Sequence, residues 1–137
     1  EAIVATDEET DEQVLMTAFY FGPRGGGTAA SNLARWAGQV DSNQDPTIYQ
    51  YEQEDLIISE LMSKGTLVPS GMGTGPTSPQ PNMFLYGVIA EGGPSGNLYF
   101  KFTGPQSLLE EVEPTLYTMV ETLRIVPEEM RMPQPEQ

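Results

Sequence analysis

The sequence predicts a single α+β domain built on an antiparallel β-sheet flanked by helices, and three observations carry that prediction. Residues 83–90 (MFLYGVIA) and 98–104 (LYFKFTG) are β-prone runs joined by the turn-rich EGGPSGN, the pattern of an antiparallel hairpin. Residues 14–21 (VLMTAFYF) are apolar and aromatic without a break, which predicts a strand covered on both faces. In 28–40 and 105–124 the apolar residues recur at helical spacing instead. A length of 137 residues suffices for one hydrophobic core and is short for two.

In chain order, the patch Ala2 to Ala5 predicts a strand, followed by an acidic, turn-like loop. Gly22 and Pro23 end the strand 14–21. Thr28 then offers an N-cap to a helix over 28–40, on which Leu33, Trp36, Ala37 and Val40 share one side. After the polar turn DSNQDP (41–46), the stretch 47–68 is ambiguous. Tyr49 and Tyr51 alternate as in a strand, whereas Leu56, Ile57, Ile58 and Leu61 suit strand or helix, and strands are the preferred reading. Four prolines and three glycines make 69–81 a long surface loop.

In 98–103, Leu98, Phe100 and Phe102 alternate with Tyr99, Lys101 and Thr103, which predicts one buried and one amphipathic face. Pro105 suits the first position of the last helix. Leu108, Val112, Leu116, Met119 and Leu123 form its apolar stripe, widened by Leu109 and Val120, and Pro114 is expected to kink or restart it. The domain is taken as 1–126, with 127–137 an extended or disordered Pro-rich acidic tail. The first residue is Glu1 rather than methionine, which implies a processed form or a fragment, with any signal peptide lying upstream of it.

Twenty acidic against six basic residues give a formal charge of -14, which repels nucleic acid and anionic headgroups; the preferred reading is a solvated surface suited to a salty or extracytoplasmic medium, with a basic partner or divalent cations as the alternative. Cysteine and histidine are both absent, so the chain itself holds no disulfide, thiolate nucleophile, His general base or Ser-His-Asp triad. No apolar run approaches the roughly 20 residues of a membrane-spanning helix.

The stretch GPRGGGTAASN raises the question of a phosphate cradle at a helix N-terminus. Neither the Lys-Ser/Thr pair of a Walker loop nor a G-x-G-x-x-G spacing follows Gly25, Gly26 and Gly27, so the glycines read as a strand-to-helix connection. Asp41, Asn43, Asp45 and Glu52 occupy positions 1, 3, 5 and 12 of an EF-hand calcium loop, but Pro46 stands where its glycine turn belongs. Calcium is thus the one candidate ion and no cofactor is expected. Glu52, Glu54, Asp55 and Glu60 are the acids from which a hydrolase pair would come, and Trp36, Tyr86, Tyr99 and Phe100 are aromatics that either line a pocket or form core. Met130 and Met132 are a poor soft-metal pair without a cysteine or histidine.

Three stretches, 19–39, 65–76 with 85–93, and 98–124, together resemble a group of uncharacterised bacterial secreted proteins or lipoproteins. The resemblance rests on a strand ending Tyr20-Phe21-Gly22 before a glycine-rich loop, on Asn32, Arg35, Trp36 and Gln39 in an Asn-x-x-Arg-Trp-x-x-Gln helix, and on Phe102, Gly104 and Pro105 before a terminal helix. That group is similar in fold to PsbP-like domains, which implies an α/β/α sandwich and an extracytoplasmic location, periplasmic or lipid-anchored; it implies no reaction. On the helix, Asn32, Arg35 and Gln39 share a face. Arg35 and Asn32 are expected to hydrogen-bond a neighbouring loop, with Trp36 anchored against 14–21; the functional alternative makes Arg35 and Asn32 partner contacts, joined by Met72 in the long loop. The function expected is non-enzymatic: an exported accessory or binding domain that docks on a protein or membrane-associated assembly. A calcium-binding module over 41–52 is the alternative.

Overall fold

The computed structural model describes residues 2–6, 13–20, 28–69, 78–92 and 96–123. They form a small α+β domain, an antiparallel sheet with a helix on each face. Among them, β1 (Ala2–Thr6), β2 (Gln13–Tyr20), α1 (Ala29–Ala37), β3 (Val40–Asp41), β4 (Thr47–Gln53), β5 (Leu56–Leu67), β6 (Gln80–Glu91), β7 (Leu98–Pro105) and α2 (Gln106–Glu121) follow in order. Strand order is β1-β2-β7-β6-β5, and the far side of β5 is shared by β3 and β4. The long, alternating β5 and β6 are the middle of the domain, paired over Ile57↔Glu91 to Leu67↔Gln80.

Each of these strands is apolar toward both helices. From β6, Phe84, Tyr86 and Val88 point into a core with Val14, Ile58, Phe102 and the α2 stripe Leu108, Val112, Leu116 and Val120. Leu85 and Ile89 point the other way, into a core with Leu33, Trp36, Leu61, Leu67 and Tyr99. The amphipathic face predicted for 98–103 is therefore covered: α1 lies over it, Tyr99 is buried, and so is Lys101.

α1 begins where the Thr28 side chain accepts from the Ser31 N–H at 3.0 Å, the predicted N-cap. It stops at Ala37 rather than running to 40. The Gln39 N–H turns back to the Trp36 carbonyl at 3.0 Å, and Val40 leaves the helix to pair with Leu67 in β3. Trp36 does anchor the helix on the sheet, but on β6 rather than β2. A Cβ on Gly87 would lie 2.3 Å from the indole Cε3, so the ring fills the dimple that a missing side chain leaves.

The strand reading of 47–68 holds. β4 and β5 pair in full register from Thr47↔Met62 to Gln53↔Leu56, closed by Glu54 and Asp55 at φ 48° and 68°. Two successive positive φ values are those of a type I′ turn, whose twist matches that of the flanking strands. The predicted loop 69–81 gives up its end: Gln80 and Pro81 belong to β6, beside a register shift and next to Asn82 at φ 58°. Proline tolerates that place because a bulge leaves one N–H unpaired anyway.

Pro105 is the N-cap of α2, not its first residue, and α2 continues through Pro114 to Glu121. The proline ring is on the exposed side, and so is Glu110, whose carbonyl loses its helical donor, so solvent faces the defect. The glycines 25–27 and the tail 127–137 lie outside the described residues.

Candidate functional site

Beside the α2-side core, between α2 and the β4–β5 hairpin, is a cleft of about 210 Å³ lined by Thr47, Tyr49, Tyr51, Glu60, Met62, Tyr86, Tyr117, Val120 and Glu121. Its assembly follows from periodicity. Alternation on β4 puts Thr47, Tyr49 and Tyr51 on the face that α2 covers, and register sets them opposite Met62, Glu60 and Ile58 of β5. On α2, Glu113, Tyr117 and Glu121 recur every fourth residue and so form one stripe. The hairpin is tied to the helix end by Gln53, whose Nε2 donates to the carbonyls of Val120 at 2.7 Å and Leu123 at 2.9 Å. Val120 is in the last turn and its carbonyl also accepts the Leu123 N–H at 3.1 Å, whereas Leu123 lies just past the helix end.

Tyr86 is the floor, 1% exposed. Its ring meets Tyr117 edge-on at 5.8 Å between centroids and 87° between planes, while Phe102 stacks behind it at 5.8 Å. Its hydroxyl donates to the Glu60 carboxylate, and the same carboxylate is near enough to the Tyr51 hydroxyl to raise its pKa. The Tyr117 hydroxyl donates to Glu113 Oε1 at 2.7 Å. Burial first, and then the neighbouring carboxylates, hold the hydroxyls of Tyr86, Tyr51 and Tyr117 well above the ordinary phenol value of 10.0. At neutral pH these are neutral donors.

Neutral donors solvate a carboxylate without cancelling its charge. Among the described residues that line the cleft there are two carboxylates and no lysine or arginine. The cleft therefore combines negative potential with four tyrosine rings, three of them partly exposed, the ingredients that attract a cation.

A second polar cluster lies on the α1 side. The Lys101 Nζ donates to Gln39 Oε1 at 3.1 Å, and burial, then the Arg35 charge, lowers its pKa. Arg35 Nη2 donates to Asn32 Oδ1 at 2.6 Å, and Asn32 Nδ2 donates to the Thr28 carbonyl at 2.8 Å. The shared face of Asn32, Arg35 and Gln39 is thus present, but these bonds of Arg35 and Asn32 close on the start of their own helix rather than on a loop. Met72 lies outside the described residues.

The four calcium candidates are not brought together. Asp41 pairs with Thr66 and Glu52 with Ile57, and nine residues of strand separate those partners, roughly 30 Å at the usual rise. Among the described residues there is no group of three or more acidic side chains suited to a metal ion. The hydrolase acids scatter as well: Glu54 and Asp55 are in the hairpin turn, Glu52 is exposed on the opposite face of β4, and only Glu60 reaches the cleft. Of the four aromatics considered, Tyr86 lines the cleft, Trp36 and Tyr99 are core on the α1 side, and Phe100 packs against the α2-side core.

Comparison with protein-family models, with curated proteins and with solved structures finds no match. Among the described residues no helix is long and apolar enough to cross a membrane.

Sequence reasoning missed Tyr49, Tyr51, Tyr117, Glu113 and Glu121 as site residues. The signals were present as spacings, two on a strand and four on a helix, but each is also the spacing of an ordinary solvated face.

Proposed function

We propose that the domain is a non-catalytic, exported accessory module of PsbP-like type that docks on a protein or membrane-associated assembly through the cleft between α2 and the β4–β5 hairpin. The observation that carries this reading is the cleft's composition: Tyr49, Tyr51, Tyr86 and Tyr117 around Glu60 and Glu121, with no cation in the described lining. Tyrosine gives large contact area with little side-chain entropy to lose, which is why it is enriched at recognition surfaces. Charge supplies the direction of the partnership. A chain of net charge -14 meets a basic surface faster and more selectively than a neutral or acidic one.

Catalysis is disfavoured by the same geometry. The hydroxyls of Tyr51 and Tyr86 are held protonated well past neutral pH, which supports a part as hydrogen-bond donors rather than as proton acceptors. The export assignment rests on the resemblance of 14–124 to bacterial secreted domains.

The test is site-specific photocrosslinking. A benzophenone side chain replacing Tyr49, which is 62% exposed at the mouth, is expected to give one dominant adduct in the native host. The protein identified in it should then bind the purified domain, and bind the Glu60→Gln, Tyr117→Ala double variant more weakly. A smear of adducts, or a purified partner indifferent to those substitutions, contradicts docking through the cleft.

A further inference from the structure

We infer that the cleft is a receptor for the ammonium group of a lysine side chain presented by a basic protein partner. This rests on the docking reading and goes further in naming the group recognised. Size comes first. A cleft of about 210 Å³ is below the roughly 300–1,000 Å³ of pockets for drug-sized ligands, so it suits one side chain.

Charge and shape come next. Tyr86 and Tyr117 stand nearly perpendicular at 87°, forming a corner of two aromatic walls, and Tyr51 and Tyr49 approach from β4. A compact cation in the cleft meets the exposed parts of Tyr49, Tyr51 and Tyr117, with the carboxylates of Glu60 and Glu121 beside it.

The state of Glu60 separates lysine from arginine. A guanidinium binds a carboxylate best as a fork, two parallel bonds to two open oxygens. Glu60 Oε1 already accepts from the Tyr86 hydroxyl, so a fork across both Glu60 oxygens would have to share that acceptor. An ammonium is a point charge on a thin stem and needs only the field and the walls.

Titration of the full chain with short peptides, followed by the tyrosine ring resonances, tests this. The probes are an acetylated Gly-Lys-Gly amide, its arginine and norleucine counterparts, and phosphatidylglycerol vesicles, which carry no ammonium headgroup. The lysine peptide is expected to shift Tyr51, Tyr86 and Tyr117 saturably, with affinity about tenfold above the arginine peptide, a gap of about 1.4 kcal/mol. Norleucine and vesicles should leave the rings unmoved. Glu60→Gln and, separately, the exposed-site variant Tyr117→Ala should each weaken the lysine response about tenfold; the second keeps the test valid if the first fails to fold.

Equal binding of arginine, or saturable binding of vesicles in place of lysine, overturns the inference. A crosslinked partner whose cleft-contacting segment binds undiminished after its lysines are replaced by glutamine overturns it while leaving the docking reading intact. Absence of any peptide response together with absence of a partner removes both.

Discussion

Gly87 and Trp36 fit each other as dimple and plug: the indole Cε3 occupies a point 2.3 Å from where a Gly87 Cβ would sit. Tyr86, one residue earlier on β6, faces the opposite way and forms the floor of the tyrosine cleft. The strand that seats α1 is therefore also the strand that seats the site. Gly87→Ala forces the buried indole to move and is expected to cost about 2 kcal/mol, the overpacking range. Trp36→Ala leaves a cavity instead and should cost more, about 3–5 kcal/mol. Urea denaturation of both variants checks the order.

The hairpin beneath the cleft uses a turn that its sequence does not favour. Glu54 and Asp55 hold positive φ values of 48° and 68°, where an asparagine followed by a glycine is the preferred pair. The double substitution Glu54→Asn, Asp55→Gly is expected to stabilise the domain by about 1 kcal/mol. Thermal melting measures it, and the cleft residues are untouched.

Gln53 holds the two walls of the cleft together through carbonyls at the end of α2. Gln53→Ala is expected to lower stability by about 1 kcal/mol, since the Leu123 carbonyl loses its Gln53 donor and the Val120 carbonyl keeps only the Leu123 N–H. Faster hydrogen exchange in the final turn of α2 than in its first turn would localise the effect.

Alkaline pH probes the phenol–carboxylate network with a defined sign. Tyr51, Tyr86 and Tyr117, facing Glu60, Glu113, Glu121 and Tyr49, keep their protons in the folded state beyond the ordinary value of 10.0. The unfolded chain releases them first, so their contribution is fully present below about pH 10 and is lost as pH climbs toward the raised folded values. Lys101 acts the other way. Its folded pKa lies below 10.5, so its ammonium costs stability at lower pH and that cost fades as pH rises toward 10.5. Three tyrosines against one lysine predict a net fall in melting temperature above about pH 10, smaller in the variant Tyr51→Phe, Tyr117→Phe. The ultraviolet absorbance of tyrosinate, followed in parallel, should show late-ionising groups.

How much of this was legible in the sequence depends on how local the signal was. The β6–β7 hairpin and the α2 stripe are written in consecutive residues, and Thr28 announced its helix by type and place. Lys101 misled because a lysine at an alternate strand position ordinarily marks a wet face, whereas here α1 and the Gln39 side chain cover it. Pro114 does not restart the helix, because the carbonyl it orphans, that of Glu110, is on the exposed side. The seat of Trp36 was half legible: its spacing promised the sheet, but β6 could be chosen over β2 only with the strand order known. The cleft was the least legible feature. Its residues come from four elements separated by up to 74 positions between Thr47 and Glu121, and only the β4–β5 register and the packing of α2 bring them together.

Positive charge as the recognised property is the centre of this account, and an isosteric pair isolates it. Choline and 3,3-dimethylbutanol share a shape and differ in charge, so titrating each into the full chain while recording the Tyr86 and Tyr117 ring resonances gives the most direct answer. The account predicts saturable shifts with choline, lost in Glu60→Gln, and none with the alcohol. Equal shifts from both, or none from choline in the folded wild-type domain, would contradict it.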